Sequence, residues 1–251
     1  MPLTDIITPT WVKERFLVGV NLVTDDGLPY PDEMYELAIE NAIEFVQDEL
    51  DIVFDALAVT GEKHDMINNA NNWPNFAPIR LRKRPVRAVT ALEAKWGQND
   101  VLTYPLDWTN LDNSTGDKSL TGHLTVIPTP QGMPATSYGL SWAGFRDVAP
   151  LWWRVSYTAG WATPAEVPSS FLMVIGWMAA LLPLDTAGDL IAGAGIATKS
   201  VSIDGLSTSI GTTSSATNAG YGARILSYQK QMAMTMASLR RKYAVREFFA
   251  V

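Results

Sequence analysis

The sequence predicts a mainly α-helical α+β fold, a helical bundle into which a small antiparallel β-sheet is inserted. Three observations carry this expectation. Segments 32–57 and 222–246 repeat apolar residues at the helical period, so both read as long amphipathic helices. Between Ile79 and Tyr157, short runs alternate apolar and polar residues and are cut by turn clusters, as strands are. With 251 residues, 47% of them hydrophobic and 18% charged, the chain can bury well over half of the surface its unfolded form exposes without a disulfide or metal staple.

Residues 1–30 read as an irregular N-terminal arm with a short apolar stretch, Phe16 to Val23, closed by the turn-prone Asp25-Asp26-Gly27. Pro31 and Asp32 then start the first long helix, in which Met34, Ala38, Ala42, Phe45, Val46, Leu50 and Val53 share one side. Its other side carries Glu33, Glu36, Glu40, Glu44, Asp48, Asp51 and Asp55, with no Lys or Arg in the segment. Like charges at that spacing cost roughly 0.2–0.5 kcal/mol per neighbouring pair, about 1–3 kcal/mol in all. A solvated face is one reading of the stripe. The other is a surface that meets a basic partner or lines a channel that must not retain DNA, because solubilising faces are usually of mixed sign.

Residues 58–79 read as a loop through the Asn-rich run 68–75. Ile79 to Val86 alternates and then meets Pro85, which suits an edge strand, and strand patterns follow at Ala88–Ala94, Val101–Tyr104, Leu124–Ile127 and Trp152–Tyr157. The turn cluster Asn113 to Asp117 separates two of them, and 95–150 is expected to be a β-rich insertion. After Pro168, Ser169 caps an apolar helix to Leu182. The apolar run Phe171–Leu184 is read as a core helix, too short to cross a bilayer, so no membrane partner is expected. Residues 185–221 are rich in Gly, Ser, Ala and Thr and are expected to form a mobile loop, with one alternating tract at Val201–Gly205. In the last helix Ile225, Tyr228, Met232, Met236, Leu239 and Tyr243 form an apolar seam, and Arg240, Arg241 and Lys242 complement the helix dipole.

The net charge of -7 hides an asymmetry. Residues 1–79 hold 15 acidic and 3 basic groups, residues 80–125 hold 7 basic and 5 acidic, and residues 126–251 hold 9 basic and 6 acidic. An acidic first third is poorly suited to wrapping nucleic acid, whose phosphates are bound by Lys and Arg, and it suits head-to-tail contact between copies. The first ten residues lack the basic and apolar regions of a secretory signal.

Catalytic patterns fail one by one. The absence of cysteine excludes disulfides, thiolate nucleophiles and cysteine-ligated metals. Gly193 to Ser200 has Thr198 where a phosphate-binding loop needs Gly before its Lys. His64 and His123 are far apart in sequence and form no zinc-binding spacing, and Gly139 to Gly144 is one residue too long for a serine-nucleophile elbow. No enzyme activity, cofactor or metal is expected. Arg80, Arg82, Lys83, Arg84 and Arg87 form a basic cluster, read either as charge that protects an edge strand or as a dock for an acidic surface, the stripe of a neighbouring copy being the candidate. Nine tryptophans, seven of them from Trp73 to Trp161, suit either a core or an interface.

The order of segments resembles the head-tail connector (adaptor) family of tailed bacteriophages. The match runs through the acidic helix, Ile79-Arg80-Leu81 to Pro85-Val86 with Val89 and Leu92, Val155 to Trp161, and Val167-Pro168 opening an apolar helix. Val201 to Ser207 and Tyr221 to Ile225 resemble long members of that family. The resemblance implies a non-enzymatic protein of the virion neck, present in the host cytoplasm during assembly. It implies a dodecameric ring of copies that bind the portal on one side and a neck or tail protein on the other, with DNA only as passing cargo. It further implies a helical connector core at 31–94 and 151–246. Glu36, Glu40, Glu44 and Asp48, together with the basic cluster, are then expected as inter-subunit or channel charges. The apolar tail at 245–251, with Val245, Phe248, Phe249 and Val251, is expected to dock on the portal. A tail-side stopper or terminator of the neck is the alternative, and a phage hydrolase a more distant one.

Overall fold

The computed structural model describes residues 2–20, 22–24, 26–67, 77–96, 100–112, 118–126, 148–192, 198–203, 206–211 and 221–243. In chain order the elements are α1 (Pro9–Phe16), α2 (Asp32–Leu50), β1 (Leu57–Ile67), β2 (Ala77–Arg80), β3 (Val86–Trp96), β4 (Asp100–Tyr104), β5 (Thr109–Leu111), β6 (His123–Val126) and β7 (Val148–Ala159). They are followed by α3 (Ser169–Ala192), β8 (Thr198–Ile203), β9 (Leu206–Gly211) and α4 (Gly222–Tyr243). The chain divides into two compact units, Met1–Glu49 with Val167–Arg241, and Leu50–Glu166 with Lys242–Val251.

The first unit is helical. Thr8 opens α1 by accepting a hydrogen bond from the Trp11 amide, and Pro9 follows at the first helical position, where its missing N–H costs nothing. Phe16, at the end of α1, meets Gly176 of α3 so closely that a Cβ there would lie 2.2 Å from the ring, so only glycine admits this approach. Tyr228 of α4 turns its ring edge-on to Phe16 and donates to the Phe16 carbonyl at 2.6 Å. α2 packs through Tyr35, Ala38, Ile39, Ala42 and Val46, all buried. The strands β8 and β9 pair as a two-stranded ribbon, Ile203 opposite Leu206.

The second unit is built on strands. Its four-stranded antiparallel sheet has the order β1-β7-β3-β4, and a three-stranded sheet has the order β2-β6-β5. On the central strand β7, Trp153, Val155, Tyr157 and Ala159 are buried, whereas Arg154, Ser156 and Thr158 face partly outward. The buried set joins Leu81, Leu92, Tyr104, Trp108 and Leu124 in one core, with the Tyr104 and Trp153 ring centroids 5.3 Å apart. Trp108, Trp152 and Trp153 serve this core, and Trp161, also buried, stacks on Phe54 at 5.6 Å.

This corrects the expected helical bundle with a small inserted sheet. The class is α+β, but the seven strands β1 to β7 constitute a unit of their own and the helices do not form a long-helix bundle. The helix expected over 32–57 stops at Leu50, because Asp51 enters the left-handed region at φ 50 and Ile52 bridges to Arg84. The loop expected at 58–79 contains β1, whose pairing with β7 slips between Val59 and Glu62 and again between His64 and Met66. Those bulges break the period-2 pattern that would have marked the strand. The arm contains α1. The helix expected to end at Leu182 runs through Pro183 to Ala192. Its Ser169–Gly188 part is therefore long and apolar enough to cross a bilayer, yet Phe171, Val174, Ile175, Ala180 and Leu184 are buried in the unit.

Candidate functional site

Two charged surfaces stand out, one in each unit. On α2, Glu33, Glu36, Glu40, Glu44 and Asp48 are all exposed, on the side opposite the buried face. Of the other carboxylates on the helix, Asp32 pairs with Lys13 and Glu49 with Arg240, each at 2.6 Å. Asp51, expected in the same stripe, has left the helix and faces Arg84 at 3.2 Å. Phe45, expected in the apolar seam, is instead exposed, whereas Tyr35 and Ile39, not expected in that seam, are buried. Leu37 is exposed as well, so the face mixes carboxylates with large apolar groups.

The second surface is the segment from Arg80 to Arg87. Its backbone is bonded at successive residues: the Leu81 amide donates to the Gly122 carbonyl at 2.9 Å, the Arg82 amide to Glu62 Oε1 at 3.0 Å, and the Lys83 amide to the Tyr157 hydroxyl at 3.0 Å. Tyr157 in turn donates to Glu62 Oε2 at 2.6 Å, and His64 Nε2 lies 2.7 Å from Glu62 Oε1. Burial would raise the pKa of Glu62, but the hydrogen bonds from His64, Tyr157 and the Arg82 amide outweigh it and hold the carboxyl below its usual value. Burial and the same bond to Glu62 push the Tyr157 phenol up. The loop is therefore held in one shape while Arg80, Arg82 and Lys83 point to solvent.

Arg84 differs from its neighbours. It is 2% exposed, and its guanidinium donates to the Tyr243 carbonyl at 2.6 Å, the Leu50 carbonyl at 3.0 Å and Asp51 at 3.2 Å. Burial lowers its pKa, the Arg80 charge adds to that, and Asp51 opposes it. Gly122 closes over its stem, since a Cβ there would sit 2.9 Å from Arg84 Cδ and 2.8 Å from the Leu81 carbonyl. Arg84 thus belongs to the interior of the second unit, where it caps the carbonyls of Leu50 and Tyr243, and is not available as a surface charge. Arg87 is half-buried, and its charge adds to the Lys118 ion pair that holds Glu166 below the usual carboxylate range.

The tail residues Val245, Phe248, Phe249 and Val251 lie outside the described residues, as do the segment Gly139 to Gly144 and the glycines at 193 and 195. His64 and His123 are on β1 and β6; among the described residues, no three His, Asp or Glu side chains are grouped to hold a metal. Sequence reasoning misses the exposed Leu37 and Phe45 on α2, and on α4 it treats Arg240, Arg241 and Lys242 only as dipole partners. The signal is present in the composition of α4, which has Arg224, Lys230, Arg240, Arg241 and Lys242 and no carboxylate.

No protein-family model matches the sequence, and no curated protein matches it. Among solved structures, the chain is similar to one from "Virion of native gene transfer agent (GTA) particle", with a TM-score of 0.42 and 14% identity over 100% of this chain and 92% of that one. It is also similar to one from "Neck of empty GTA particle computed with C6 symmetry", with a TM-score of 0.37 and 14% identity over 72% of this chain and 76% of that one.

Proposed function

We propose that this chain is a non-enzymatic structural protein of a phage-like virion, whose copies form a ring that joins the portal to the neck or tail and lets DNA pass. The observation that carries the reading is the exposed single-sign face of α2, on which Glu33, Glu36, Glu40, Glu44 and Asp48 have no cation paired to them among the described residues. A carboxylate row of that kind raises the free energy of the isolated chain, so it suits a surface completed by a partner or one that repels DNA phosphates. The rigid loop presenting Arg80, Arg82 and Lys83 supports a second docking surface, and the order of motifs resembling head-tail connectors supports the assignment to the neck. In this reading the apolar tail at 245–251 engages the portal.

The test is binding of the purified full chain to capsids that carry their portal. The intact chain is expected to bind, and a chain lacking 245–251 to stay folded but not bind. Retained binding by the shortened chain removes the tail from the contact. Binding to tails and not to capsids makes the protein a tail-side stopper or terminator, and binding to neither contradicts the assignment.

A further inference from the structure

We infer that the acidic face of α2 in one copy packs against the basic face of α4 in the next, and that this head-to-tail contact joins the copies. The inference deepens the ring reading and rests on it for closure of the assembly. Its basis is a complete segregation of charge between two helices of the same unit. α2 carries Asp32, Glu33, Glu36, Glu40, Glu44, Asp48 and Glu49 without a cation, whereas α4 carries only cations. Within the chain the two sets meet at one described ion pair, Arg240 with Glu49 at 2.6 Å. Lys230 and Arg241 are exposed, and among the described residues neither has a carboxylate partner.

The faces also match in their apolar content. Leu37 and Phe45 are 54% and 46% exposed among the carboxylates of α2. Leu226 and Met234 are 54% and 58% exposed on α4, on the same helical row as Lys230. A helix face that combines large apolar groups with charge of one sign is a poor solvent face and a good half of an interface. Each face supplies what the other lacks. A two-fold dimer through α2 would set carboxylate against carboxylate, and one through α4 would set cation against cation. The complementary arrangement is heterologous, and a heterologous contact repeats until it closes into a ring or runs on as a filament. The cationic loop of the second unit is a weaker counterpart for α2. With Arg84 buried and Arg87 half-buried, it presents a compact group of cations, whereas α4 presents a face as long as α2 itself.

The experiment uses paired charge reversals in the full chain, with association read by sedimentation at low salt and folding by circular dichroism. E40K/E44K and K230E/R241E should each weaken self-association about tenfold or more, as expected when like charges are set against each other across a contact. E40Q/E44Q should weaken it less, and R80E/R82E, which tests the cationic loop as the rival counterpart of α2, should weaken it less than K230E/R241E does. Mixing the two reversed proteins in equal amounts should restore association. The native acidic α2 of the α4 variant then meets the native basic α4 of the α2 variant, and the two reversed faces meet each other. Native-like association of either reversed protein alone, or a folded mixture that fails to recover, overturns the contact; rings that persist through both reversals leave the ring reading standing. A native chain that stays monomeric also overturns the contact, and capsid binding still tests the assignment to the neck. Loss of duplex DNA binding in K230E/R241E with association unchanged would assign the α4 face to nucleic acid instead.

Discussion

Replacing Arg84 by alanine is the sharpest single perturbation the second unit allows. The guanidinium is buried and donates to two carbonyls, those of Leu50 and Tyr243, that end the paths of α2 and α4. Each charge-assisted hydrogen bond of this kind contributes about 1.5–3 kcal/mol, so the two together account for about 3–6 kcal/mol. The Asp51 side chain is 67% exposed, so its pairing adds less than about 1 kcal/mol after solvent screening. Water entering the vacated space offsets part of the loss, which leaves an expected destabilisation of about 3–5 kcal/mol, the range for breaking a buried charged network. With a urea slope of about 2 kcal/mol/M, the midpoint should fall by about 1.5–2.5 M, read by fluorescence of the buried Trp108 and Trp153. Arg84→Lys keeps the charge but loses the planar fork, and should fall between the two. A midpoint for Arg84→Ala within about 0.3 M of native, with an unchanged slope, would refute the capping role.

Three further outcomes follow from the same geometry. Glu62 is held below its ordinary value of 4.5, so its contribution to stability is present above that pH and is lost as pH falls through the lower folded value; Glu62→Gln should flatten this acid limb in pH-dependent urea unfolding. Burial pushes the phenols of Tyr35, Tyr104 and Tyr243 up to about 12. Their contribution is present below the ordinary value of 10 and is lost as pH rises from there toward 12, and an ultraviolet titration should show these phenols ionising late. Gly176→Ala gains helix propensity but drives a Cβ into the Phe16 ring, so it should lose about 1–3 kcal/mol in thermal unfolding, with partial recovery in the Gly176→Ala/Phe16→Leu double variant.

Periodicity decides which elements are legible in the sequence. α2 and α4 are legible because amphipathic repeats over five turns leave little choice of structure, and β4, β6 and β7 fall where short alternating runs place them. β1 is not legible. Gly61 at φ 61 and the bulge at Glu62 shift the alternation mid-strand, and the strand is fixed by pairing with β7, some ninety residues away in sequence. The same long-range pairing makes the β unit look, along the chain, like an insertion in a bundle. Charge is legible as composition but not as placement: nothing in Arg80 to Arg87 says that Arg84 alone turns inward, because that depends on the carbonyls of Leu50 and Tyr243 brought to it by the fold. Conversely, the cation-only α4 and the carboxylate-only α2 complement each other in composition alone, so their match is written in the residues themselves.

The central claim is that this chain works through surfaces that bind copies of itself and its neighbours in a virion neck. Electron microscopy of the purified chain, alone and mixed with portal-bearing capsids, tests it most directly. The account predicts closed rings of the chain, and density added at the capsid opening in the mixture. Single particles of one subunit that leave the opening bare would contradict it.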